Sequence, residues 1–196
     1  MSGKILSIAE TRYTAEVQLE WEGKKETVSL LREDVESLSL PPCPAPLSAE
    51  LYDALKDKES REKAVKMALE LLVKKPYSKQ KLYEKLKAKG IPKEKAILGV
   101  YMAVKFGYLR EEEQISLTLL RMAEQAYGPL RAIEKLETAG YLRKDIEDAI
   151  ARLTEEEKLD FEKAEQMRID MLKKKGFSEK KAKTKLYYYG FGDELW

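Results

Sequence analysis

The chain has 196 residues, 37% of them charged, and a net charge of +2, and its regularly spaced apolar residues exclude a disordered protein. Its longest apolar stretch, residues 96–104, is far shorter than the roughly 18 residues of a membrane-spanning helix, and the N-terminus lacks the apolar core of a signal peptide. One cysteine, Cys43, permits no internal disulfide, so we expect a cytoplasmic protein.

Enzyme chemistry is not indicated. The absence of histidine removes the commonest general base and any His-containing metal site. Cys43 lies in a proline run without a local activating group, and no glycine-rich phosphate-binding loop occurs. We therefore predict a non-enzymatic protein that uses no metal and no cofactor.

Residues 1–40 are predicted to form a small β-containing domain. Apolar residues alternate with a period of two, and Glu22–Lys24 supplies a turn. This piece is too small for much independent stability, so we expect it to pack against helices. The predicted elements are strands at 4–10, 13–21 and 25–31 and a short helix at 32–38.

Residues 41–59 are predicted to be a linker with a short helix. The proline-rich run Pro41–Pro46 is typical of a stiff segment that continues neither a strand nor a helix. Ser48 is predicted to cap a helix that extends through Leu55.

From residue 60 onwards, one motif recurs every fifty residues: Lys-Leu, three further residues, glycine and an apolar residue. A fixed period of this length indicates stacked copies of one supersecondary unit. Glycine enters the left-handed backbone region without penalty, and the apolar residue after it packs back on the leucine, so each motif is predicted to end a helix. The leucines, glycines and apolar residues are Leu86, Gly90 and Ile91; Leu136, Gly140 and Tyr141; and Leu186, Gly190 and Phe191.

The start of the same helix also repeats. Ser78, Gly128 and Ser178 occupy the N-cap position, and each follows an aromatic residue suited to a hydrophobic staple. In the first copy we predict helices at about 61–75, 79–89 and 92–106, the last opened by Pro92 at its first position. The predicted fold is therefore mainly α, with three-helix repeats at 60–109 and 110–159 and a truncated third repeat at 160–196.

The third repeat lacks a third helix. We expect Tyr188 or Tyr189, together with Phe191 and Trp196, to cover the face that this helix would otherwise cover.

The small net charge conceals an uneven distribution. Residues 60–108 contain 13 Lys or Arg against 4 Asp or Glu, whereas residues 109–160 contain 8 against 13. A basic first repeat favours polyanion binding, and solvated lysines on Lys/Glu-rich helices explain the pattern equally well. The candidate binding residues are Lys74, Lys75, Lys81, Lys85 and Lys87, with Lys181, Lys183 and Tyr187 in the third repeat. On the second helix, Leu82 and Leu86 are predicted to point inward, Lys81 and Lys87 outward, with Lys85 at the boundary.

The order of these motifs resembles the RecX family. The matching segments are Ala64-x-x-x-Ala68-Leu69-x-Leu71-Leu72, Tyr77-Ser78 with Leu82, Leu86, Gly90 and Ile91, Gly107-Tyr108-Leu109, Tyr127-Gly128-Pro129 with Leu136 and Gly140, and Gly190-Phe191. The resemblance covers about residues 60–191. It implies tandem three-helix repeats and a regulator that binds RecA filaments, usually suppresses recombinase activity, and acts in recombination, DNA repair and the SOS response.

Two alternatives stay open on the sequence alone. The basic first repeat could bind single-stranded or double-stranded DNA directly, or the array could be a scaffold for another protein. Phosphate-dominated binding weakens steeply with salt, whereas a partly apolar protein interface weakens less, so a salt titration separates these functions.

Overall fold

The computed structural model describes residues 3–192, and the chain forms two compact units. Unit 1 contains the residues up to Lys75 together with Leu82–Tyr108. Unit 2 contains Pro76–Lys81 and the chain from Leu109 onwards. Among the described residues, no helix combines the length and apolarity needed to cross a membrane.

Unit 1 begins with a four-stranded antiparallel sheet of order β3-β2-β1-β4. The predicted three strands and short helix are confirmed, with boundaries within a residue of those expected. The elements are β1 (Gly3–Glu10), β2 (Thr14–Trp21), β3 (Lys24–Leu31), α1 (Arg32–Leu38) and β4 (Ala45–Leu47).

The fourth strand was not predicted, because it lies inside the proline-rich run. Ala45–Leu47 pairs antiparallel with residues 3–5 of β1. Proline is tolerated on an edge strand, where its missing N–H removes no ladder hydrogen bond. The side chains of Ala45 and Leu47 are buried while Pro46 is exposed, so the segment has the alternation of a half-buried strand.

The two helices predicted around residues 48–55 and 61–75 are one helix, α2 (Ala49–Lys74). Its N-terminus is as expected, because the Leu51 N–H donates to Ser48 Oγ at 3.2 Å. No glycine or proline interrupts the sequence between these residues, so nothing ends the helix at residue 55. The helix packs against β3, which buries Leu55 in the core of the sheet.

The remaining helices of unit 1 are α3 (Lys79–Ala88), which begins in unit 2, and α4 (Lys93–Lys105). Pro92 is the N-cap of α4 and not its first residue, a one-residue difference. Leu31, Val65 and Met102 form a second buried cluster where β3, α2 and α4 meet.

A buried ionic contact ties α1 to α2. The Asp34 carboxylate is 2% exposed, and its Oδ1 accepts hydrogen bonds from Lys58 Nζ at 3.0 Å and Arg61 Nη1 at 2.6 Å. The N-terminal domain therefore packs on the helices that follow it, as expected.

Unit 2 contains the second repeat and the two helices of the third, around one hydrophobic core. This confirms the predicted architecture of three-helix repeats, and the described residues include the first two helices of the third copy. The helices are α5 (Glu111–Glu124), α6 (Pro129–Thr138), α7 (Arg143–Glu155), α8 (Phe161–Lys174) and α9 (Glu179–Lys185), and a 3-10 turn (Leu186–Tyr189) follows α9.

The three helix-stop motifs have the predicted geometry. Gly90, Gly140 and Gly190 have φ of +84°, +84° and +85°. In each copy the N–H of the following apolar residue donates to the carbonyl of the motif leucine, at 3.1 Å, 3.1 Å and 3.2 Å respectively. These are the hydrogen bonds of the Schellman helix end, so the repeat assignment holds at the level of the backbone.

Candidate partner-binding surfaces

Unit 2 contains two equivalent contacts, which we call joints, between the start of the second helix of one repeat and the helix stop of the next repeat. At the first joint, Ser78 Oγ donates to the carbonyl of Ala139 at 2.8 Å. At the second, the Gly128 N–H donates to Tyr189 O at 2.8 Å, and the Leu130 N–H donates to Gly190 O at 3.1 Å. The same positions of the repeat therefore meet in both joints, through a side-chain hydrogen bond in the first and backbone hydrogen bonds in the second.

The joints give two of the repeat glycines a second role. A Cβ on Gly140 would lie 2.8 Å from Ser78 Oγ, and one on Gly190 would lie 2.5 Å from Arg131 Cβ and also clash with the Arg131 amide nitrogen. A Cβ on Gly90 would meet nothing within 4 Å. The three glycines are equivalent in the sequence motif, but only Gly140 and Gly190 lie close to residues at the start of another helix.

The joint also changes the assignment of Lys81. This lysine was expected to point into solvent like Lys87, but it is half-buried, and its Cγ would be 3.1 Å from a Cβ on Gly140. The prediction was wrong because helical periodicity does not reveal the second joint partner. Lys81 is therefore a poor candidate for a solvent-facing contact.

The other candidate lysines of the first repeat are exposed, including Lys85, which was expected at the boundary of the buried face. Lys85 and Lys87 flank the buried Leu86 near the end of α3, and Lys74 ends α2. Within residues 3–192, no carboxylate forms an ion pair with these three lysines. Lys75 is exposed as well and, as the C-cap of α2, donates its N–H to Leu71 O at 3.3 Å. Exposed cations that form no ion pair among the described residues leave positive charge available to an anionic or acidic partner.

The candidates of the third repeat do not form one basic surface. Lys181 and Lys183 are exposed, and Lys183 Nζ lies 3.4 Å from a Glu179 carboxylate oxygen. Tyr187 is 74% exposed and makes an edge-to-face contact with Tyr188, with ring centroids 6.0 Å apart. Lys183 and Tyr187 line a groove, and Lys181 is not among its lining residues. The other charged residues that line this groove are carboxylates.

The aromatic cover expected over the third repeat is formed in part. Phe191 is buried and Tyr189 packs on the core, whereas Tyr188 is exposed. Trp196 lies outside the described residues. Arg168, which no sequence pattern singled out, stacks 4.0 Å from the centroid of the Tyr189 ring and donates from Nε to Ala126 O at 2.8 Å.

One exposed apolar surface was missed. Ile97, Tyr101 and Val104 are 52%, 59% and 40% exposed and lie at i, i+4 and i+7 on α4, on a face distinct from the buried Ala96 and Ala103. We call these three residues the α4 stripe. A second apolar period in the α4 sequence could have revealed it.

The stripe has no counterpart in the second repeat. The positions fifty residues later, on α7, hold Glu147, Ala151 and Thr154. The repeat fold therefore does not require apolar residues there. An exposed apolar stripe that the fold does not need is typical of a protein-binding surface.

The overall architecture is that of RecX crystal structures. The chain is similar to a regulatory protein RecX at 18% identity and a TM-score of 0.71, covering 97% of this chain and 95% of the other. It is also similar to RecX from Lactobacillus salivarius at 15% identity and a TM-score of 0.58, covering 68% and 90%. No family model and no curated protein matches the sequence. The fold is RecX-like, and at these identities the similarity concerns the fold alone.

Proposed function

We propose that this chain is a non-enzymatic regulator that binds RecA filaments assembled on DNA and modulates recombinase activity, with inhibition as the expected sign. The observation that carries the proposal is the extent of the RecX-like fold, which spans 97% of the chain. The protein of that structure is named as regulatory. The order of helix caps and helix stops, which resembles the RecX family, supports the same function and a cytoplasmic location.

The repeat architecture suits a filamentous partner. Successive copies of one structural unit can address successive protomers of a regular assembly. Equivalent joints at Ser78–Ala139 and Gly128–Tyr189 give unit 2 a repeated geometry of this kind.

For unit 1, we propose contact through the α4 stripe and through Lys85 and Lys87. The stripe offers apolar area to a protein partner, and the lysines, which form no ion pair among the described residues, offer positive charge. Tyrosine at the centre of the stripe is one of the residue types enriched in binding hot spots.

A strand-exchange assay tests the regulatory function. RecA is assembled on single-stranded DNA, homologous duplex is added, and product is measured against the concentration of this chain. We expect a dose-dependent decrease in product, and a smaller decrease with Tyr101→Ala. The matched control is Ala151→Ser, which alters the equivalent position of α7. Unchanged product at saturating protein would contradict the proposal.

A second candidate function is direct nucleic-acid binding by the basic first repeat. It is favoured by Lys74, Lys85 and Lys87, which are exposed and form no ion pair within residues 3–192. Its signature is binding to DNA without RecA that weakens steeply as salt rises. Binding to the filament that changes little over the same salt range supports the protein interface instead.

A further inference from the structure

Unit 2 contains an open groove of about 1120 Å³ beside the third repeat. Its floor is apolar and includes Leu159, Phe161, Leu186 and Phe191. These side chains are 3–9% exposed, so their edges form the floor while their bulk belongs to the core. The groove therefore offers an apolar surface that the described residues leave uncovered.

The groove corresponds to the position that α7 occupies in the second repeat. In the second repeat, α7 lies along α5, where Arg152 Nη2 donates to Ser116 Oγ at 2.9 Å and lies 3.3 Å from a Glu112 carboxylate oxygen. Fifty residues later, Glu112 corresponds to Glu162, which lines the groove. The helix-stop residues Leu136 and Tyr141 likewise correspond to the groove residues Leu186 and Phe191.

This position is acidic, unlike its counterparts in the first two repeats. The first two repeats have the buried apolar residues Val65 and Ile115 where the third has Glu165. Glu165 lines the groove together with Glu157, Asp160 and Glu162, against the single cation Lys183 among the lining residues. The α7 helix itself would be repelled there, since it contains three basic and four acidic residues.

We propose that this groove binds a cationic amphipathic helix of a partner protein at the position that α7 occupies in the second repeat. The apolar face of the helix would lie on the floor and its lysines or arginines beside the carboxylates, as Arg152 lies beside Glu112 in the second repeat. This interaction is independent of the proposed binding to RecA.

Peptide binding tests the proposal with a matched pair of probes. The first probe is the α7 sequence 143–155 with blocked ends, which carries a side-chain net charge of −1. The second is the same peptide with Asp145→Lys, Glu147→Lys and Asp148→Lys, which keeps every residue of the buried face and has a net charge of +5. Fluorescence anisotropy against the full chain is expected to show at least about tenfold tighter binding of the cationic peptide at low salt.

Groove variants test whether the site is the one proposed. The variant Glu157→Gln, Glu162→Gln and Glu165→Gln is expected to weaken binding of the cationic peptide at least about tenfold. The control Glu124→Gln, Asp145→Asn and Asp148→Asn removes the same charge from exposed positions outside the lining residues and is expected to change binding less than twofold. Circular dichroism confirms that both variants are folded.

Four results would overturn the proposal. Equal binding of the two peptides would show that charge does not select the occupant. Equal loss in both variants would indicate non-specific attraction. Binding only after removal of residues 193–196 would assign the groove to the chain's own end. Competition by a second copy of the chain would make it a self-association surface.

Discussion

The helix-stop glycines permit a left-handed backbone conformation and, at the joints, a close approach to another helix. Substitution of glycine by alanine separates these two roles. Gly176 and Gly190 both belong to unit 2, with φ of +89° and +85°. A Cβ on Gly176 would meet nothing within 4 Å, whereas one on Gly190 would lie 2.5 Å from Arg131 Cβ. Gly176→Ala is therefore a control for the backbone conformation, and Gly190→Ala adds the close approach at the joint.

The expected magnitudes follow from these contacts. The left-handed conformation costs alanine roughly 1–2 kcal/mol, and Gly176→Ala should show only this loss. In Gly190→Ala the start of α6 must move by about 1 Å to restore ordinary contact, which breaks the hydrogen bonds from Gly128 N–H and Leu130 N–H. Each bond contributes about 1 kcal/mol, so the total should reach about 3–4 kcal/mol.

Urea unfolding, followed by circular dichroism, measures the free energy of unfolding of both variants. Amide exchange in α6 and α9 shows where the structure loosens. We expect Gly190→Ala to unfold at lower urea than Gly176→Ala and to lose protection first in those two helices. A loss for Gly190→Ala no larger than that for Gly176→Ala would refute the joint as a structural constraint.

Three further predictions concern charged residues. Asp34→Ala is expected to lower the free energy of unfolding by about 3 kcal/mol in urea denaturation, because it leaves two half-buried cations unpaired. Lys85→Glu with Lys87→Glu is expected to weaken filament binding about fivefold in anisotropy measurements at low salt. Burial raises the pKa of the Glu62 carboxyl above its ordinary value of 4.5, so the folded chain keeps this proton to higher pH than the unfolded chain does. The contribution of Glu62 therefore makes the free energy of unfolding fall as pH rises from 4.5 through the pKa of the folded state. Glu62→Gln should remove this decline, as measured by denaturation curves at several pH values, and should stabilise the protein at pH 7.

Each of these predictions has a contradicting outcome. A loss below 1 kcal/mol for Asp34→Ala would mean that Lys58 and Arg61 are solvated without it. Charge reversal at the exposed hairpin residues Lys24 and Lys25 is the control for α3, and an equal effect there would indicate general electrostatics. If the free energy of unfolding of Glu62→Gln depends on pH in the same way as that of the unsubstituted chain, the pKa of Glu62 is not raised.

Local rules explain why so much of the fold was predictable. Glycine at a helix end and the apolar residue after it act within six residues, so the stops at Gly90, Gly140 and Gly190 could be located from sequence. The elements that were missed depend on distant partners. The strand Ala45–Leu47 forms only because an edge of β1 is free to pair, and the burial of Lys81 depends on Gly140.

The candidate surfaces were less predictable than the fold. Charge counts identified Lys85 and Lys87, which are exposed, but also Lys81, which is half-buried. The α4 stripe was missed because periodicity alone does not show whether an apolar residue on a helix is buried. Exposure, which decides between core and surface, is a property of the packed helices and not of their periodicity.

Co-sedimentation with RecA assembled on single-stranded DNA, beside DNA alone, tests the proposed function most directly. We predict that the chain pellets with the filament at physiological salt, that it pellets less with DNA alone, and that Tyr101→Ala reduces the filament-bound fraction. Equal recovery with DNA alone would assign the binding to the nucleic acid, and no recovery with the filament would contradict the account.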